Sequence, residues 1–214
     1  MSWSVSRWRR VGGLEQGFGD RIAAPPRAVA TLRQVHGRRI HHLDDAPEGS
    51  EGDGLVTDRP KTLVGVWTAD CVPVHLVVPG ARIAAALHCG WRGSAAGMIP
   101  AALELLERRW NVRAQEIEAA LGPAIDECCY EVGDEVRGFF VARAGSELGS
   151  VGFRTRQHRL YLGLRAFLAA ELRAFGVAYD ARFGPCTGCR TDLLYSYRKE
   201  GKTGRQLSWI GWQA

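Results

Sequence analysis

Residues 62–110 read TLVGVWTADCVPVHLVVPGARIAAALHCGWRGSAAGMIPAALELLERRW. Three runs in this stretch, Thr62–Thr68, Val72–Val78 and Arg82–His88, are short, rich in apolar and β-branched residues, and separated by turn formers such as Asp70 and Pro79-Gly80. That pattern predicts three strands close together in the chain. The period then changes. Ser94 is a candidate N-cap for a helix carrying Ile99, Leu103, Leu106 and Trp110 on one stripe, ending before Asn111. Pro100 falls inside it and predicts a kink or a later start.

Outward from this stretch, Val29–Val35, Ile117–Leu121 and the alternating Gln206–Trp212 also read as strands. Two further helices are expected, at Gly133–Ala144 and at Leu160–Phe175. The second carries Leu164, Phe167, Leu168, Leu172 and Phe175 as one stripe, with Gly176 as C-cap. Loops are expected at Ala23–Pro26, Asp44–Gly54 and Gly184–Gly188, none long enough to link separate domains. Strands outnumber helices and come in clusters, which predicts a mixed α/β fold, a mixed sheet with helices packed on it. The whole chain, 1–214, reads as a single domain.

Composition narrows the function. The chain has 214 residues, 46% hydrophobic and 24% charged, which excludes a disordered tail, a coiled coil and a disulfide-stapled miniprotein. The net charge of +5 is mild and not gathered in blocks. It suits an anionic small molecule such as phosphate and does not single out nucleic acid as a partner. No segment approaches the ~20 apolar residues of a membrane helix, and MSWSVSRWRRVGG lacks the apolar core of a signal peptide. Six cysteines, two of them adjacent and two in a CxxC, do not form a secreted disulfide framework, so the expected address is the cytoplasm.

Three residues suggest a metal. His36, Cys71 and His88 each lie at the end of an expected strand or just past it. Two imidazoles and a thiolate suit Zn²⁺ and leave a fourth tetrahedral position open, as in a catalytic site. The plainer alternatives are hydrogen-bonded strand-end histidines and a buried thiol, since spacings of 35 and 17 residues match no short zinc pattern. Asp70, beside Cys71, is a candidate acid/base group or else a turn hydrogen-bonding residue; both neighbours reach one pocket only if the chain turns there. Arg92, between Gly90 and Gly93 and ahead of Ser94, reads as part of a phosphate cradle or an ordinary tight turn. Arg198, Lys199 and Arg205 offer further positive charge or a solvated hairpin. Gln34 shares the strand face of His36, as a substrate contact or a sheet-surface amide. Cys128 and Cys129 read as core or pocket lining, and Cys186 and Cys189 as lining a loop ahead of a strand-like Arg190–Tyr197.

The motifs RQVHG (33–37), DGLVTDRP (53–60), TADCVPV (68–74), LHCGWRG (87–93), CCYEVGDEV (128–136) and CTGCRTDLLYSYRKEGKTGR (186–205) occur in this order. Together they resemble the YfiH-like family, the laccase-domain or polyphenol oxidase proteins later described as purine nucleoside phosphorylases. The resemblance covers about residues 16–212 and implies a single-domain, layered α/β sandwich. It implies a zinc held by His36, Cys71 and His88, and phosphorolysis of purine nucleosides such as adenosine, inosine or methylthioadenosine. Adenosine deamination is implied at the same site. Within that scheme Asp70, Cys71 and His88 take catalytic roles, and Arg21, Gln34, Arg92 and Arg198 meet substrate. Arg21 of GFGDR (17–21) matches the arginine of the family's F-x-TR motif. Copper-dependent phenol oxidation and a non-catalytic zinc-stabilised protein binding nucleotides or peptidoglycan precursors are the rival readings. Two departures stand out. Only IAAPPRAVA (22–30) follows Arg21, where the family carries a longer segment with a Ser-Leu-Asn motif, a departure that bears on the nucleoside pocket. Cys89 stands where Ala is common, beside a proposed ligand.

Overall fold

A computed structural model describes residues 2–180 and 184–213. Two sheets face one another, and helices cover the outer face of the larger one. The six-stranded sheet has the order Ala178–Asp180, Glu118–Leu121, Val72–Val78, Ile83–Cys89, Gly54–Thr57, Ile40–His42. The five-stranded sheet has the order Ser2–Trp3, Leu14–Gly19, Gln206–Trp212, Thr62–Thr68, Val29–Ala30. A small three-stranded sheet, Glu131–Val132, Arg159–Leu162, Phe153–Arg156, completes the described strands. Antiparallel and parallel pairs occur in both large sheets, so the expected mixed α/β architecture is what forms.

Strand alternation builds the layers. In the central hairpin, Val74, Leu76, Val78, Ile83, Ala85 and Leu87 point to the helices and share one core with them. The residues between, such as Val77, Ala84 and Ala86, point to the other sheet and join Phe18, Val64, Val66 and Ile210 in a second core. Helix α1 spans Trp91–Ala95, α2 Met98–Trp110, α3 Asp134–Gly149, α4 Leu164–Ala174 and α5 Tyr197–Glu200. Ile99, Leu103 and Leu106 of α2 and Phe167, Leu168 and Leu172 of α4 are buried against the central sheet. Each such side chain contributes about 1.5–3 kcal/mol by leaving water.

Several boundaries differ from expectation, each for a local reason. The strand expected over Val29–Val35 stops at Ala30; beyond it the chain turns to residues 50–53, with Arg33 donating to the Ser50 carbonyl. The helix expected from Ser94 opens at Gly90 and breaks at Gly97, whose φ is 92°. Ser94 is therefore inside α1, its amide donating to Gly90 O. Pro100 then falls in the first turn of α2, where a missing N–H costs nothing. Arg159–Leu162 forms a strand with Phe153–Arg156, so the helix expected from Leu160 starts only after Gly163; α3 runs regularly to Ala144 and is interrupted at Gly145. Arg190–Tyr197 is turn rather than strand, and SYRKE closes as α5, capped by Ser196 accepting from Lys199 N at 3.4 Å, not as a hairpin.

Candidate metal centre

The central hairpin brings two of the expected donors together. Val72 pairs with Cys89 and Pro73 with His88, so Cys71, just before one strand, lies beside the end of the other. His88 follows Ala84 and Ala86 onto the inter-sheet face, while Cys89 falls on the helix face, fully buried in that core. The extra thiol is thus turned away from its ligand neighbour.

His36 arrives on a loop rather than a strand end, with φ 59°, a left-handed conformation that costs a non-glycine residue roughly 1–2 kcal/mol. Asp53 offsets that cost. Its fully buried carboxylate accepts from the backbone N–H groups of Val35 (3.3 Å), His36 (2.9 Å) and Gly37 (2.7 Å). Three successive N–H groups make a concavity suited to an anion. The same carboxylate lies 2.7 Å from His88 Nδ1, fixing the proton there and leaving Nε2 free to ligate. Burial pushes the Asp53 carboxyl up, but the bonds from His88 and these amides hold it below its usual range. Sequence reading missed Asp53; it opens DGLVTDRP, where an Asp before a Gly reads simply as a turn.

His36 Nδ1 lies 4.0 Å from Cys71 Sγ, and the two imidazoles meet edge to face at 4.8 Å between centroids. One donor atom from each of the three residues falls within 4.8 Å of the others, close to the roughly 3–4 Å separations set by zinc–ligand bonds of about 2.0–2.3 Å. Gly90 keeps the space between them open: a Cβ there would stand 3.2 Å from both Cys71 Sγ and His36 Nδ1. Burial alone would raise the Cys71 thiol, yet the charge of His88 and the hydrogen bonds of both imidazoles bring it down to about 6. Burial likewise lowers His88, and the Cys71 thiolate and Asp53 outweigh it, lifting it to about 9. The pair therefore holds a thiolate, the form of cysteine that binds metal. The donors fit a zinc ion.

These donors line a cavity of about 950 Å³. Asp70 reaches it because its φ of 89° turns the chain between the two strands. Both Asp70 oxygens are engaged: Oδ1 accepts from Thr187 Oγ1 at 2.6 Å and Oδ2 from the Arg198 amide at 2.7 Å. Gln34 also lines the cavity, with its amide doubly bonded to the Trp67 backbone at 2.8 Å each way. Arg92 lies over the Trp91 ring at 4.6 Å, and Arg198 over Tyr130 at 4.9 Å while donating to Glu131 O. Arg205 lines the cavity too, whereas Arg21 and Lys199 are not among its lining residues. Arg21 instead pairs with Glu200 at 2.5 Å and covers the Tyr195 ring. Trp67, Tyr130 and Tyr197 complete the walls; sequence reading did not single them out, although Tyr130 and Tyr197 lie inside two of the ordered motifs, because their convergence depends on three distant elements. Burial, then the Cys71 thiolate, keeps the Tyr130 phenol protonated. Cys128, Cys129, Cys186 and Cys189 do not line this cavity.

The family model described as multi-copper polyphenol oxidoreductase laccase matches residues 10–213. A purine nucleoside phosphorylase of Deinococcus radiodurans is 37% identical, over 85% of this chain and 69% of its own. One from Clostridium acetobutylicum is 33% identical, over 85% of this chain and 76% of its own. The crystal structure of YlmD from Geobacillus stearothermophilus matches with a TM-score of 0.86 at 26% identity, covering 100% of this chain and 97% of that one. The ordered motifs, the layered fold and these matches agree: the chain belongs to the multi-copper polyphenol oxidoreductase laccase family, in the company of YlmD.

Proposed function

We propose that this chain is a zinc-dependent purine nucleoside phosphorylase, cleaving adenosine, inosine or methylthioadenosine with phosphate to free base and a ribose 1-phosphate. Its relatives from Deinococcus radiodurans and Clostridium acetobutylicum carry that name. One observation carries the reading: a single cavity combines the His36–Cys71–His88 donors, aromatic faces at Trp67, Tyr130 and Tyr197, and the cations Arg92, Arg198 and Arg205. Flat aromatic faces suit a purine, and guanidinium groups suit a phosphate. Phosphorolysis asks mainly that phosphate be held against the sugar's C1′ carbon while charge is stabilised.

A zinc ion held by His36, Cys71 and His88 would supply Lewis-acid polarisation. The chain's own residues do the rest. Asp53 keeps the proton on His88 Nδ1. Asp70, with both oxygens committed, supports positioning of the Thr187 and Arg198 wall more directly than proton transfer. Gln34 holds the Trp67 edge, and Arg21 acts at one remove by fixing Glu200 of α5, the helix that presents Tyr197 and Arg198. The donor chemistry favours this reading over multicopper oxidation: among the described residues, the other candidate metal-binding group is all cysteine, with no further histidine set. Six free cysteines accord with a reducing cytoplasm, the address we assign. Among the described residues no helix is long and apolar enough to cross a membrane.

The test is zinc-loaded protein incubated with adenosine, with and without phosphate, followed by chromatography, with Cys71→Ala as control. Adenine and ribose 1-phosphate should form only with phosphate and vanish in the variant. Inosine formed without phosphate would replace phosphorolysis by deamination. Oxygen uptake with a phenol by copper-loaded protein would restore the oxidase, and tight nucleotide binding without turnover a binding protein.

A further inference from the structure

Outside the cavity, the structure gathers four cysteines that the proposed reaction does not use. Cys128, Cys129, Cys186 and Cys189 place their sulfurs within 4.8 Å of one another. Cys189 Sγ lies 3.4 Å from Cys128 Sγ and 3.5 Å from Cys129 Sγ. A tetrahedral zinc with Zn–S bonds of about 2.3 Å separates its sulfurs by about 3.8 Å. We propose that these four thiolates hold a second zinc ion, a closed structural site independent of the His36–Cys71–His88 set.

The surroundings are built for such a site. Each cysteine pair sits on a hydrogen-bonded turn: the amides of Cys129 and Tyr130 donate to Asp126 O, and those of Cys189 and Arg190 to Cys186 O. A C-x-x-C turn is a recurrent half-site for zinc. Adjacent Cys128 and Cys129 both bring their sulfurs to Cys189 from this turn. The two turns are locked together. Thr187 N donates to Ala124 O, the Asp126 amide donates to Cys186 Sγ at 3.3 Å, and Arg165 joins Asp126 to the Gly184 carbonyl. An N–H aimed at sulfur stabilises thiolate charge. Gly188 leaves room for the approach, since a Cβ there would stand 2.9 Å from Cys129 Cβ and 3.1 Å from its sulfur. A disulfide would join Cys189 to one of two nearly equidistant partners and leave two thiols idle; one zinc uses all four.

The zinc would tie the loop 122–130 to the segment 184–190. Tyr130 lines the cavity and Thr187 bonds Asp70, the neighbour of Cys71, so the ion would brace a wall of the cavity that holds the proposed catalytic metal.

Zinc per chain decides the matter, measured after removing loose metal with a mild chelator. The native protein should hold two equivalents, Cys71→Ala one, Cys189→Ser one, and the double variant none. Cobalt added to metal-free Cys71→Ala should give the intense charge-transfer and d–d absorption of a tetrathiolate site, lost in Cys71→Ala/Cys189→Ser. Cys189 is exposed, so its serine variant should keep the native circular dichroism; Cys128→Ser, also exposed, serves as the replicate. Should only the cavity site fail, native and Cys71→Ala protein would both hold one equivalent, with Cys189→Ser holding none. Cys71→Ala protein without zinc and without the cobalt spectrum would overturn the proposal. So would a disulfide at Cys189 as the resting state in freshly purified protein.

Discussion

Asp53 organises the candidate centre more than any ligand does. One buried carboxylate fills the amide concavity that sets the His36 loop and fixes the protonated nitrogen of His88. Asp53→Asn keeps the shape but loses the charge and turns an N–H₂ toward groups that donate. A ligand-orienting partner of this kind is worth about 10–100-fold in metal affinity. Competition against a chromophoric zinc chelator should therefore show a loss of that size at the His36–Cys71–His88 site, read in a Cys189→Ser background. Unchanged affinity would mean that the loop and ring are held by something else. The donors His36, Cys71 and His88 were legible as residue types, and ordered motifs marked them. Asp53 was not, because its partners stand 16 to 35 residues away and nothing local distinguishes it from a turn aspartate.

At the level of elements, the strand Ile83–Cys89 hands over to α1 through Gly90, and the donors sit around that junction. Gly90 has φ −75° and ψ 164°, which any residue adopts, so glycine is needed there for space rather than backbone freedom. Gly90→Ala would place a methyl group 3.2 Å from Cys71 Sγ and His36 Nδ1. The loop holding His36 must then give way. The expected outcome is weakened zinc binding and reduced turnover with the unfolding midpoint in urea little changed; full metal affinity would show that the loop yields freely. The sequence legibility of the elements follows the same logic. Strands with an apolar run bounded by turns, such as Val72–Val78 and Gln206–Trp212, were readable at both ends. Arg159–Leu162 was not, because Leu160 alternates with Leu162 as a strand residue yet, four positions before Leu164, also continues the stripe of α4. The short pieces around Ser94 and Ser196 rest on bonds to Gly90 and Glu200, four residues away, and such brief turns leave too few apolar positions to show a period.

Across the whole molecule, the order of strands lay beyond the sequence pattern, since Gln206–Trp212 inserts between Leu14–Gly19 and Thr62–Thr68. That insertion closes the inter-sheet core over His75, a consequence that alternation along Val72–Val78 alone does not reveal. His75 is fully buried, stacked on Phe18 at 4.3 Å and 14°, and neither ring nitrogen has a hydrogen-bond partner. Burial therefore drives its pKa down to about 3, while in the unfolded chain it stays near 6.5. Below pH 6.5 the unfolded state takes up a proton that the folded state refuses. Stability is then complete above about 6.5 and falls by about 1.4 kcal/mol for each pH unit toward 3. Replacing the ring with an apolar side chain of similar bulk, His75→Leu, removes this one titration and leaves every other acid-sensitive group in place. Urea unfolding at pH 7.5 and pH 5 should show the parent protein losing about 2 kcal/mol more than the variant between the two conditions. The difference between the two proteins isolates His75 from the thiolate and carboxylates of the metal centre, which both share. Equal losses would mean that the ring is protonated, or hydrated, inside the sandwich, and that the two sheets are less tightly closed than their packing indicates.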